Sequence, residues 1–230
     1  MSLLVPAPRG RSDAFMRWGA WAGMGAAAVF VGTFTIEGLI RPGYSPVSDY
    51  VSALSLGPRG WVQITNFVIT GALLLVFAAR VAVETREGRA SRAAPVTLGV
   101  VGLGILLSGP FVMDPVGTPR AATTLHGAAH QGLGAIVFAT MPVTCFIYVR
   151  RTRVVAAWHR MRRWTMAVGT LIVGAIVLLK VAQLGLPPHE PNALTPWVGL
   201  VQRAALVPFF AWLFAVAWTV LSNAKSLARP

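Results

Sequence analysis

Apolar residues gather into six long runs, at 18–40, 61–79, 93–113, 124–149, 164–186 and 196–221, separated by short polar connections. About 20 apolar residues in a row suffice to cross a hydrocarbon core as a helix. Lipid offers the backbone no hydrogen-bond partners, so a spanning run must satisfy its own N–H and C=O groups, which a helix does. No pattern of short alternating strands argues for a transmembrane β-barrel. The expected fold is therefore an all-α polytopic membrane protein. Its six transmembrane helices fall at about 18–40, 61–83, 93–113, 124–149, 164–186 and 196–221, in one transmembrane domain spanning 1–230. The first run is too long for the apolar part of a signal peptide, and no small-residue cleavage site follows it, so it reads as a retained helix.

Composition agrees. Of 230 residues, 55% are hydrophobic and only 12% charged, about half the charge of a soluble domain. This excludes a soluble enzyme, a coiled coil and a disordered chain. One cysteine, Cys145, excludes an intrachain disulfide.

Charge then sets an orientation. Fifteen of the 20 Lys and Arg lie at the termini and in the second-to-third and fourth-to-fifth connections, with Arg80 counted in the former. The other three connections hold Arg41, Arg59 and Arg120. By the positive-inside rule both termini are cytoplasmic, in a multi-pass protein of the cell membrane. The net charge of +13 then reflects contact with membrane lipids, their anionic headgroups meeting the cytoplasmic loops. No nucleic-acid partner is expected, because no basic patch alternates with aromatics in a soluble segment. Small-residue groups at Gly19/Gly23, Gly99/Gly102/Gly104 and Gly127/Gly132/Gly134 suit close helix packing.

The first outer connection, RPGYSPVSDYVSALSLGPRGW (41–61), has a Ser45-Pro46 start and a Gly57-Pro58 stop, which predict a short surface helix over about 46–56. Ser48, Asp49 and Ser52 share one face of it, turned to water or to a pocket. Ionisable and amide residues gather in the outer halves of the helices: Glu37, Asn66, Asp114, His126, His130, Lys180, Gln202 and Arg203. Charges in lipid are costly, so these groups are expected to turn inward, pair and line a cavity open to the outer face. His126 and His130, at i and i+4, share a helical face. With Asp114 they would suit one zinc ion, with Glu37, His189 and Glu190 as other third ligands; the other reading is a pair of hydrogen-bonded interfacial histidines. Arg203 and Lys180 read either as counter-ions of Glu37 and Asp114 or as holders of an anionic headgroup, for which Arg41 and Arg59 at the rim are also suited.

The segments RPGYSPVSDYVSALSLGPRGW, NFVITG, FVMDPVGTP and TTLHGAAH resemble an uncharacterised prokaryotic membrane family, domain of unknown function 998. The resemblance covers roughly residues 15–222 and rests on Tyr44, Ser48 and Ser52, on Asp114-Pro115, and on Thr124, His126 and His130. It implies six helices and no established activity. A looser analogy of Ser, Asp and His elements links the chain to ceramidase and progestin-receptor-like membrane hydrolases, which have seven helices.

Three functions compete. The first is a non-catalytic or accessory protein binding a lipid-like or anionic amphiphile through Arg203, Gln202, Lys180, Asn66, Asp49, Ser48 and Ser52. The second is an enzyme on a lipid or prenyl substrate: a metal hydrolase using His126, His130 and Asp114, or an acid-initiated cyclase or isomerase using Glu37 or Asp114. The third is a small transporter.

Overall fold

A computed structural model describes residues 9–86, 92–154, 159, 161–185 and 191–227. The described residues form six α-helices: α1 (Arg9–Ile40), α2 (Gly60–Arg86), α3 (Ala93–Leu107), α4 (Leu125–Val154), α5 (Arg162–Gln183) and α6 (Val198–Leu227). Five are long and apolar enough to cross a membrane. The sixth, α3, has 15 residues and is about 22 Å long at 1.5 Å per residue, short of a ~30 Å hydrocarbon core.

The helices pack in chain order, each against the next, and α6 closes against α1. The closed ring is filled by side chains from every helix. Phe30 of α1 meets Phe67 of α2 and Phe210 of α6, and Tyr148 of α4 meets Trp212 of α6 edge-on. Large apolar side chains also cover the outside, among them Ile36, Leu39, Val96, Leu171 and Val177. A water-soluble bundle would bury them, whereas acyl chains solvate them. Exposed tryptophans mark both ends: Trp18, Trp164 and Trp218 near the termini, and Trp61 and Trp197 near the opposite, distal end. Indole rings favour the headgroup level for this reason.

Between apolar helices in lipid, close backbone approach does much of the work that water exclusion does elsewhere. The α2–α3 pair shows it. A Cβ on Gly71 would overlap the Leu106 backbone nitrogen, and Gly102 lies against the Leu75 nitrogen. Not every predicted packing glycine takes part: Gly99, Gly132 and Gly134 face open space.

Three expectations change. The third helix ends at Leu107 rather than 113. Ser108 turns its hydroxyl back to the Gly104 carbonyl (2.8 Å), and Pro110 lacks the N–H that would continue the ladder. The expected helix over 46–56 is replaced by turns at 46–48 followed by a 3-10 helix, Val51–Ser55. Here the Ser45 N–H donates to the Asp49 carboxylate (2.7 Å) and the Ser48 N–H to the Ser45 hydroxyl (3.4 Å). Such local side-chain bonds compete with α-helical ones. Finally, Arg80, tallied with a connection for its charge, falls in the helix expected over 61–83. It lies within α2, 1% exposed, and its Nε donates to the Met16 carbonyl (2.9 Å).

Gly71→Ala is expected to pry α2 from α3 and destabilise the detergent-solubilised protein by about 1–3 kcal/mol, the usual overpacking cost. Gly132→Ala, in open space, should leave the midpoint of thermal unfolding unchanged. Equal effects of the two substitutions would refute this account of the interface.

Candidate functional site

The polar side chains of the distal end form separate networks. The first joins the feet of the 41–59 connection. Glu37, in the last turn of α1, is 3% exposed. Its Oε1 accepts from Arg41 Nε (3.1 Å), Arg41 Nη2 (2.9 Å) and Arg59 Nε (2.9 Å), and its Oε2 accepts from Arg59 Nη2 (2.7 Å). Arg41 Nη1 donates to the Leu56 carbonyl (3.0 Å). One carboxylate thus serves two guanidiniums and leaves one positive charge without a counter-ion. Arg41 is largely enclosed, whereas the Arg59 side chain is 53% exposed.

The second network clasps the same connection to α6. Arg203 Nη1 donates to the carbonyls of Pro46 (2.7 Å), Asp49 (2.9 Å) and Gly199 (3.0 Å), and Nη2 donates to the Tyr44 hydroxyl. Tyr44 in turn donates to the Tyr50 carbonyl (3.0 Å). The Val51 N–H donates to Gln202 Oε1 (2.7 Å), and the Leu200 N–H to the Val47 carbonyl (2.9 Å). Gly199 allows this approach, since a Cβ there would strike the Asp49 backbone. Burial pushes the Tyr44 phenol above its ordinary range, against the pull of the Arg203 guanidinium, and burial raises Tyr50 likewise.

The third network finishes α3. Past Ser108 the chain leaves the helix, and its carbonyls need donors. His126 Nδ1 lies 3.1 Å from the Pro110 oxygen and His130 Nδ1 lies 2.7 Å from the Phe111 oxygen. A carbonyl only accepts, so each imidazole donates Nδ1–H, and Nε2 carries the lone pair in the neutral ring. The i, i+4 spacing matches two successive carbonyls of the turn that follows α3, in line with the reading of the pair as hydrogen-bonded histidines. Asp114 accepts from the Thr124 backbone N–H (2.9 Å) and hydroxyl (2.8 Å), while the Thr124 hydroxyl accepts the Gly127 N–H (2.9 Å) and so caps α4. Among the described residues no group of three or more His, Cys, Asp or Glu side chains converges to hold a metal ion. His189 and Glu190 lie outside the described residues.

A fourth network is deeper. Asn66 Nδ2 donates to the Phe30 carbonyl (3.2 Å) and to Gln63 Oε1 (3.2 Å), and the Thr70 hydroxyl donates to Asn66 Oδ1 (3.3 Å). Gln63 and Thr70 were not among the sequence candidates. Their 63-66-70 spacing within an apolar run is the signal that identifies them.

The structure therefore separates residues expected to meet. Arg203 holds backbone carbonyls, not Glu37 or Asp114. Lys180 is exposed on α5 and donates to Gln183 Oε1 (3.0 Å) rather than turning inward. Ser48 is exposed, and the Ser52 carbonyl accepts the Ser55 hydroxyl (2.7 Å).

Two outcomes follow. His130→Ala should cost about 1–3 kcal/mol by orphaning the Phe111 carbonyl, and His130→Asn, whose amide nitrogen sits near the Nδ1 position, should recover part of it; a metal role would instead show as metal lost equally from both variants. Arg203→Met should free the clasp, so that a cysteine placed at Ser55, 4% exposed, becomes reactive to maleimide. Because the folded-state Tyr44 pKa is raised, its contribution is complete below the ordinary tyrosine value of about 10. It is lost as pH rises through the higher folded value, and labelling that instead increases near pH 7 would contradict the assignment.

No curated protein and no solved structure matches the chain. A family model described as protein of unknown function (DUF998) matches residues 24–219, and the chain belongs to that family.

Proposed function

We propose that this protein is a non-catalytic, multi-pass component of the cell membrane that binds anionic lipid headgroups at its outer face. In this reading all six helices form one transmembrane domain and cross the bilayer, and both termini are cytoplasmic. The lysines and arginines concentrated at the termini end support the orientation. The continuation of α3 through Ser108–Asp114, its carbonyls donated to by histidines, supports a complete third crossing despite the short helix, because non-helical backbone at membrane depth is tolerated where protein satisfies it.

The observation that carries the reading is the uneven ratio at Glu37. Two guanidiniums share one carboxylate. The more exposed of them, Arg59, uses Nε and Nη2 on Glu37 and leaves Nη1 directed elsewhere. Trp61, two residues on, is 66% exposed and suits the headgroup level. A phosphate beside Arg59 would complete the charge balance, and a guanidinium held rigid by a carboxylate loses little entropy in binding it. A carboxylate taking four guanidinium N–H bonds has no proton to deliver, which favours this reading over acid-initiated chemistry at Glu37.

The test is native mass spectrometry of protein released from nanodiscs of phosphatidylglycerol or phosphatidylcholine. The wild type should retain phosphatidylglycerol selectively, and Arg59→Gln should lower that retention about tenfold, the loss of one charge-assisted contact. Indifference of both proteins to headgroup charge would refute headgroup binding. Conversion of the retained lipid would refute the non-catalytic role.

A further inference from the structure

We propose that Gln63, Asn66 and Thr70 form a binding site inside the helix ring for one neutral hydrogen-bond acceptor oxygen, held by the Gln63 side-chain amide. The three residues share a face of α2 and are 0%, 2% and 0% exposed. Their hydrogen bonds run in one direction. Thr70 donates to Asn66, and Asn66 donates to Gln63 and to the Phe30 carbonyl. The series ends at Gln63 Nε2, a fully buried NH2 group with no partner.

The amide orientations are not interchangeable. The Phe30 carbonyl can only accept, so the Asn66 nitrogen must face it. That same nitrogen lies 3.2 Å from the Gln63 side chain, which must therefore present its oxygen. Rotating Gln63 would oppose two NH2 groups, and rotating Asn66 as well would oppose two carbonyl oxygens. The free NH2 is thus imposed by the α1 backbone, not chosen by convention. Two donors with no acceptor are costly anywhere and most costly where no water competes for them.

The chemistry restricts the ligand. All three side chains are neutral, and Arg59 and Arg203 of the distal end are held in other networks, Arg59 by Glu37 and Arg203 by loop carbonyls. An anion would be desolvated here without compensation. A neutral oxygen suffices: the carbonyl of an apolar molecule entering from the bilayer, or an internal water. The surrounding core is apolar, with Phe30 and Phe67 packed 6.0 Å apart between ring centroids. This site is independent of the headgroup contact at Arg59.

The experiment uses the full chain in nanodiscs, comparing wild type with Gln63→Leu and Gln63→Met. Organic extracts of the purified proteins are profiled for neutral carbonyl compounds, and the Gln63 side-chain amide protons of the 15N-labelled wild type are tested for cross-relaxation with water and with lipid. A neutral carbonyl compound that co-purifies with wild type and falls about tenfold in both variants, the worth of about one hydrogen bond, supports the site with a lipid-derived occupant. Cross-relaxation with water and no such compound supports it with water as occupant. Amide protons that contact neither, with variants that keep the wild-type extract, overturn it. The wild-type spectrum alone decides if neither variant folds.

Discussion

A backbone carbonyl that leaves the helical ladder needs a donor from elsewhere in the protein, and this requirement organises the distal end. α3 ends early, and two histidines of α4 take the oxygens of Pro110 and Phe111. The 41–59 connection folds back on the bundle, and Arg203 takes the oxygens of Pro46 and Asp49. In each case a side chain that resembles functional equipment satisfies main chain. Removing a buried donor such as His130 orphans the carbonyl it serves, so these polar side chains are part of the fold itself.

The helical architecture was legible because it follows from local facts, namely run length and the exclusion of charge. α3 was less so. Its apolar run continues to Met113, and hydropathy alone cannot register the stop at Ser108–Pro110. The 41–59 segment carries sound helix punctuation, yet Asp49 and Ser45 bond to nearby N–H groups and form turns instead. Among the site residues, the concentration of Glu37, Asn66, Asp114, His126, His130 and Gln202 at the end of the bundle away from the termini was readable, but not their partners. Pairing depends on which loop carbonyls approach which helix, and that is tertiary information. Glu37 illustrates the point: its guanidiniums come from Arg41 and Arg59, at the two ends of a folded loop, rather than from a facing helix.

Two arginines at the same end show how burial and partner type assign roles. Arg203 spreads its donors over three carbonyls and a phenol and lies over the Phe34 and Tyr44 rings, 5.7 Å from each centroid. Its charge is dispersed among dipoles and π faces, which keeps it at partial burial without a carboxylate. Arg59 is bound to a formal charge and half open to its surroundings. Of the two, Arg59 combines a fixed geometry with unused donor capacity, which is the basis of the proposed headgroup contact.

Helix α2 sets these demands out by depth. Arg59 immediately precedes it, Gln63 lies about 6 Å further in, Asn66 about 10 Å and Thr70 about 16 Å, at 1.5 Å per residue. Over this half of α2, formal charge occurs at the rim, amides one to two turns below, and the Thr70 hydroxyl below those; the buried Arg80 belongs to the opposite end of the helix. The sequence of groups follows the rising cost of desolvating them. It also sorts what each level can hold. An anion meets compensation only at the rim, beside a guanidinium still partly hydrated. Deeper, an anion would lose its hydration and gain only neutral dipoles, while a carbonyl oxygen, which gives up little on leaving water, gains a donor that has no other partner. In the proposed reading, the same helix therefore favours neutral over charged ligands with depth.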